Sequence, residues 1–181
     1  MVYLFLADGF EEIEALTPVD VLRRAGVGVT TVGVTGKQVA GSHGITVTAD
    51  MSAEEALSAH TGKVEMIVFP GGMPGAKNLD ESPVTDRFIE LAKADDAYIC
   101  AICAAPMILG KRGLLEGRDA TCYPGFEQYL KGAKYYEASV VVDGNFITSD
   151  GMGSALDFAL QLVAALKGDD EAERLSRSVR A

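Results

Sequence analysis

Cys103 is the residue of this chain best placed to act as a nucleophile. The run Tyr98-Ile99-Cys100-Ala101-Ile102 is short, apolar and bounded, as a buried strand is. Pro106 suits a first helical turn, where its missing N–H costs nothing. The chain must therefore bend sharply at Cys103-Ala104-Ala105. Unpaired N–H groups and the positive end of a helix dipole at such a bend favour a thiolate, and two alanines leave room for a ligand. This is nucleophile-elbow geometry with sulfur in place of oxygen. A cysteine in an apolar stretch also has a plain reading as a small buried hydrophobe. That reading suits Cys100, and it suits Cys122 near the end of a strand expected at residues 120–123. Cys100 and Cys103 spell C-x-x-C, yet residues three apart in an extended strand point to opposite faces about 10 Å apart. A disulfide reaches only roughly 7 Å between Cα atoms, so they are not read as a redox pair.

Groups that would serve a thiolate lie elsewhere in the chain. Gly71 and Gly72 follow an apolar run and ask for positive φ or close backbone approach. Their N–H groups, and that of Ala104, would suit a developing oxyanion; read alone, the glycine pair is a strand-ending turn. Glu11, Glu12 and Glu14 read as acids stabilising a helix N-terminus, and one of them facing the sulfur would be chemistry. His43, in Gly41-Ser42-His43-Gly44, reads first as a solvated or dimer-contact residue and second as a catalytic one; His60 reads as surface. Gly151-Met152-Gly153 opening a helix supplies two glycines of a dinucleotide fingerprint, but the third is absent, so nucleotide binding is rejected.

The elements that must position these groups alternate along the chain. Strands are expected at 2–7, 27–34, 45–48, 64–69, 98–102 and 120–123, with a hairpin of 139–142 and 146–149 about Asp143-Gly144-Asn145. Helices are expected at 13–25, after the Ser52/Glu55 capping box, from Ser82-Pro83 to about 94, after Pro106, near 126–130 and at 154–166. Residues 70–75 break all regular structure on this reading, and the polar segment 169–181 frays. Such alternation implies an α/β fold with a mainly parallel sheet covered on both faces, whose ligands bind outside the carboxyl ends of the strands. The acidic segment after the first strand, the Gly71-Gly72 loop and Cys103 all fall at that edge.

Composition narrows the partners. The 181 residues suit one domain, and 48% hydrophobic with 23% charged residues is an ordinary globular mixture. A net charge of −10 with no basic block argues against nucleic acid and for a small-molecule partner. Two histidines and three cysteines assemble neither a zinc spacing nor a disulfide framework, so no metal and a reducing, cytoplasmic compartment are expected. The apolar start lacks a basic lead-in, and no apolar stretch approaches the roughly 18 residues of a membrane span.

Four segments together, Asp8-Gly9-Phe10-Glu11-Glu12-Ile13-Glu14, residues 18–26 (PVDVLRRAG), Pro70-Gly71-Gly72 and Ala101-Ile102-Cys103-Ala104-Ala105-Pro106, resemble the ThiJ/PfpI superfamily, in particular the branch of the parkinsonism-associated protein deglycase and its bacterial relatives. The resemblance covers nearly the whole chain. It implies a flavodoxin-like three-layer sandwich of the class I glutamine amidotransferase type, a homodimer and no cofactor. It makes Cys103 the nucleophile, Glu14 its protonated acidic partner, and the N–H groups of Gly72 and Ala104 the oxyanion hole. Gly71, Tyr123, His43 and Gly151 would border the pocket.

The implied activities are glutathione-independent glyoxalase action on methylglyoxal, deglycation, and redox sensing through a cysteine sulfinate. Three departures bear on them. Tyr123 stands where the animal branch has a histidine near the cysteine. Ala104 stands where the protease-like branch has a histidine, which disfavours a cysteine peptidase. Asp150, in Ser149-Asp150-Gly151-Met152-Gly153-Ser154, stands where the family loop has an arginine.

Overall fold

The apolar residues Val2–Leu6 form strand β1, and their side chains alternate between two cores because the sheet they join is covered on both faces. Tyr3 and Phe5 enter one core, and Val2, Leu4 and Leu6 enter the other. The computed structural model describes Met1–Ala181. After β1 come α1 (Glu12–Arg24), β2 (Val29–Gly33), β3 (Gln38–Ala40), β4 (Thr46–Thr48), β5 (Met51–Ser52), α2 (Ala53–Ala59) and β6 (Met66–Phe69). Then follow α3 (Gly75–Asp80), α4 (Pro83–Ala94), β7 (Tyr98–Ile102), α5 (Pro106–Lys111) and β8 (Asp119–Ala120). The last part holds β9 (Lys134–Tyr135), β10 (Val140–Asp143), β11 (Phe146–Ser149), α6 (Ala155–Lys167) and α7 (Asp169–Val179), with short 3-10 turns at Glu127–Tyr129 and Met152–Ser154.

Seven strands make one sheet in the order β10-β11-β7-β6-β1-β2-β5. Every pairing is parallel except that of β10 with β11, whose hairpin turns through Gly144 at φ 59°. Helices α1, α6 and α7 cover one face and α2 to α5 the other, the three-layer flavodoxin-like arrangement anticipated. The core under α4 is aromatic: the Phe88 ring lies 4.8 Å from that of Tyr3 and 4.9 Å from that of Phe5. Each such burial contributes on the order of 2 kcal/mol. The Ser52/Glu55 capping box forms in full at the start of α2, with bonds of 2.8 and 3.2 Å.

Several expectations are corrected. Residues 169–179 are helical, because Ala172, Leu175 and Val179 form a stripe that packs on the core beside α6, with Leu175 almost fully buried. The expected strand at 120–123 shrinks to β8, which pairs with β9 outside the main sheet. Cys122 lies beyond it, and the Thr121 N–H is taken by Thr148 Oγ1 at 2.9 Å instead of by a strand. Residues 70–75 do not break all structure, since Gly75 opens α3; a Cβ there would stand 2.4 Å from the Phe10 nitrogen. His60 is half-buried against Phe88, its Nδ1 3.0 Å from the Tyr3 hydroxyl.

Because β11, β7, β6 and β1 are neighbours running the same way, their carboxyl-end loops meet at one edge. These loops carry Asp150-Gly151, Cys103, Gly71-Gly72 and Asp8-Gly9.

Candidate active site

Cys103 follows β7 directly and has φ 64°, a left-handed backbone that costs a non-glycine residue about 1–3 kcal/mol. Two bonds hold it there. Its N–H donates to the Ser149 carbonyl at 2.8 Å, and its own carbonyl accepts from the Tyr123 N–H at 2.8 Å. The bend takes the side chain off the strand's alternation, so the half-buried Cys103 touches both cores at the sheet edge while Cys100 stays sealed within one. The elbow read from the sequence is therefore present, with Pro106 at the first turn of a six-residue α5.

Glu14 lies on the inward stripe of α1 with Pro18, Val21 and Leu22, and it is almost fully buried. Its Oε2 accepts the Gly71 N–H at 2.9 Å, and the carboxyl group lies beside Cys103, close enough for each to shift the other's pKa. The backbone N–H groups of Gly72 and Ala104 lie near enough to the sulfur to favour its charged form. Glycine is needed at 71, where a Cβ would stand 2.7 Å from Cys103 Cβ and 2.7 Å from Glu14 Oε2. At Gly72 the backbone has φ 84°, and a Cβ would stand 2.3 Å from the Glu11 nitrogen.

The electrostatics of this pair differ from the expectation of a standing low-pKa thiolate. Burial pushes Glu14 up to about 7 and the charge of Glu11 adds to it, against the opposing bonds from Cys103 and Gly71. Burial, then the charge of Glu14 and its hydrogen bond, push Cys103 up to about 12, against the Gly72 and Ala104 N–H groups. Each group resists ionisation while the other is charged, so above about pH 7 the two hold a single proton between them. When that proton sits on Glu14, the part of the upward push that comes from its charge disappears, while burial and the two backbone donors remain. A helix dipole from the short α5 does not overcome this competition.

A cleft of about 660 Å³ opens above the sulfur. Of the residues expected at the site, Cys103, Glu14, Gly72, Tyr123, His43 and Gly151 line it, whereas Gly71 and Ala104 sit behind the sulfur as backbone donors. Tyr123 is half-exposed, and Gly151 lies across from its ring. Asp150 also lines the cleft, so the departure from the family loop falls at the site itself. Sequence reasoning missed Pro124, Ser139, Met152 and Asp157 as wall residues, which carry no chemical signature in the sequence.

It also missed the role of Glu12. This buried carboxylate accepts the N–H groups of His43 and Ile45 at 2.8 and 3.3 Å, and the His43 imidazole lies 3.1 Å away. Burial alone would raise its pKa; these donors hold it down at about 2. Glu12 thus pins the turn between β3 and β4 over the start of α1 and sets His43 at the cleft mouth, where Glu12 and Glu11 raise the imidazole's pKa. Glu11, Glu12 and His43 are the one trio with ligand atoms as close as a metal site requires, all within 4.8 Å, but those atoms are engaged with one another, with Ser42 and with backbone N–H groups.

A parallel α/β sandwich presenting a cysteine on a strand-end elbow, with a buried glutamate and two N–H donors at its sulfur, defines a class of cysteine-centred flavodoxin-like proteins. The chain belongs to the DJ-1/PfpI family, whose profile matches residues 1–165. It is 39% identical over 176 residues to the Parkinson disease protein 7 homolog of Danio rerio, covering 95% of this chain and 92% of that protein. It is 31% identical over 166 residues to the glutathione-independent glyoxalase DJR-1.2 of Caenorhabditis elegans, covering 91% and 87%. Among solved structures, that of Drosophila melanogaster DJ-1beta superposes with a TM-score of 0.93 at 34% identity, covering 99% of this chain and 97% of that one. No helix is long and apolar enough to cross a membrane.

Proposed function

We propose that this chain is a cofactor-independent cysteine enzyme acting on small reactive carbonyls, of the glutathione-independent glyoxalase or protein deglycase type. The observation that carries the reading is the close approach of Cys103 and the buried Glu14 at the bare face of Gly71, whose missing Cβ would stand 2.7 Å from each, in the cleft that both line. The similarity to the nematode glyoxalase supports it.

On this reading the Cys103 proton passes to Glu14, and the thiolate adds to the aldehyde carbon of methylglyoxal. The new alkoxide takes up the proton from Glu14 to give a hemithioacetal, in the reach of the two backbone donors. Glu14, again a carboxylate, removes the hydrogen from the former aldehyde carbon and returns it to the neighbouring carbon, while the hemithioacetal hydroxyl gives up its proton to the ketone oxygen, so that the first oxygen becomes the thioester carbonyl and the second a hydroxyl. The product is a lactate thioester of Cys103. Water cleaves it, releasing lactate and restoring the thiol and the carboxylate.

The test is lactate formation from methylglyoxal in the absence of glutathione. Turnover abolished in Cys103→Ala and reduced by about 10²-fold or more in Glu14→Gln supports the enzyme. Lactate formation that survives Cys103→Ala removes it.

A second reading is an oxidative-stress sensor or chaperone-like protein that signals through Cys103 oxidation. It is favoured by one observation: Cys103 alone among the three cysteines reaches solvent. A protonated Glu14 would donate to a sulfinate oxygen. Stoichiometric sulfinate with negligible turnover selects this reading. Association with a second copy is proposed through the exposed Ile13, Leu16, Ile45 and Met152 beside the cleft, and sedimentation of Ile13→Asp as a monomer, against a dimeric parent, is its test.

A further inference from the structure

We propose that the cleft admits neutral and cationic carbonyl compounds and rejects those bearing a carboxylate, with Asp150 and Asp157 setting the preference. The inference rests on the reading of Cys103 as the group that attacks carbonyls, and it narrows the substrate class of that site.

The charges on the cleft wall are of one sign. Glu11, Asp150 and Asp157 line it together with the Cys103/Glu14 pair, and no lysine or arginine does. His43 is the one basic group on the wall, and its Nδ1 lies 3.1 Å from Glu12 and 3.5 Å from Glu11. Any positive charge it carries is therefore matched before a substrate arrives. The start of α6 also faces this region, but the partial charge of a helix N-terminus, about +0.5, is smaller than the charge of the two aspartates beside it.

Asp150 is held in place. Its carboxylate accepts the Ser154 hydroxyl at 2.5 Å, its N–H donates to the Ser139 carbonyl at 3.2 Å, and Ser154 Oγ is further fixed within 2.8 Å of the Gly151 carbonyl. The charge cannot swing away when a ligand enters. A cleft of one sign with protein walls focuses its field, which alters local ligand concentration by roughly tenfold or more.

Two measurements test this. The first needs no turnover: the rates at which neutral iodoacetamide and anionic iodoacetate alkylate Cys103, each divided by its rate with N-acetylcysteine. The expected preference for iodoacetamide is about tenfold at low ionic strength, falling toward unity in Asp150→Asn/Asp157→Asn and in concentrated salt. A normalised ratio near one in the parent, or one unmoved by the double substitution, overturns the inference.

The second compares kcat/KM for phenylglyoxals bearing a para-carboxylate, no substituent or a para-trimethylammonium group. The expected order is cation, then neutral, then anion, with about tenfold between the extremes. Turnover of methylglyoxal with equal use of all three phenylglyoxals sinks this inference and leaves the proposed function standing. No glyoxal turnover with a clear alkylation preference does the reverse.

Discussion

Gly71 and Glu14 are joined by a buried hydrogen bond of 2.9 Å from the glycine N–H to Oε2, and the missing Cβ of Gly71 is what lets Glu14 and Cys103 approach each other. The loop after β6 and the first turn of α1 thus form one unit, tied again by the Glu11 N–H to the Gly71 carbonyl at 3.0 Å. Substituting Gly71→Ala forces a methyl group against both functional side chains. The expected cost is about 1–3 kcal/mol of stability, and the displacement of the pair lowers kcat/KM by about 10²-fold. Urea unfolding and steady-state kinetics on Gly71→Ala check both.

Alkylation at neutral pH discriminates among the cysteines. Cys100 and Cys122 are fully buried in the two cores and burial raises both their pKa values, whereas Cys103 opens into the cleft. Mass spectrometry of the native protein after brief iodoacetamide treatment is expected to find label on Cys103 alone. Equal labelling of all three, with the fold intact, contradicts the elbow.

The pH dependence of that labelling reports the shared proton. Below pH 7 both Glu14 and Cys103 are protonated; as Glu14 ionises near its raised value of about 7, one proton is left to the pair and a fraction of it resides on the carboxyl. The labelling rate of the parent is expected to rise with an inflection near pH 7 and then level. Glu14→Gln loses this inflection and keeps one rise at higher pH. A parent-like inflection in Glu14→Gln is incompatible with coupling.

Stability carries the same signature. Glu14 binds its proton more tightly folded than unfolded, its pKa moving from 4.5 to about 7. The folded state therefore holds more protons between those values, and this group's contribution falls as pH rises from about 4.5 to 7 and stays low above. At about 1.4 kcal/mol per pH unit the loss is about 3 kcal/mol. Glu14→Gln is expected to be more stable than the parent at pH 8, with the gain fading toward pH 4.5, as denaturant titrations at the two pH values will read.

Glu12 titrates with the opposite sign. Its carboxylate is held at about 2, below 4.5, so its contribution is complete above pH 4.5 and is lost as pH falls toward 2. Glu12→Gln is expected to flatten the acid limb of the stability profile and to speed amide exchange at His43 and Ile45, whose N–H groups it holds. Unchanged exchange at both residues refutes the pinning role.

The sequence by itself determined the alternation of elements, because apolar runs of strand length such as Tyr98–Ile102 can only be buried, and because Pro83 and Pro106 mark first helical turns. It also determined that the backbone bends at Cys103, since a strand cannot pass into a proline-initiated helix without turning. Glu14 was legible only as one of three acids at the start of α1, and choosing it over Glu11 and Glu12 drew on the family motif.

Only the tertiary structure decided the rest. Helix α7 is stabilised by Leu175 packing beside α6, a contact outweighed in the local sequence by its charged residues. The proton shared by Cys103 and Glu14 depends on how deeply both are buried and how near they lie, and neither quantity exists before β6, β7 and α1 are assembled. Likewise the one-sign cleft arises because the strand order puts β11 next to β7, bringing Asp150 and Asp157 to face Glu11 across most of the chain's length. Composition reports a net charge, but only the fold places those charges around one sulfur.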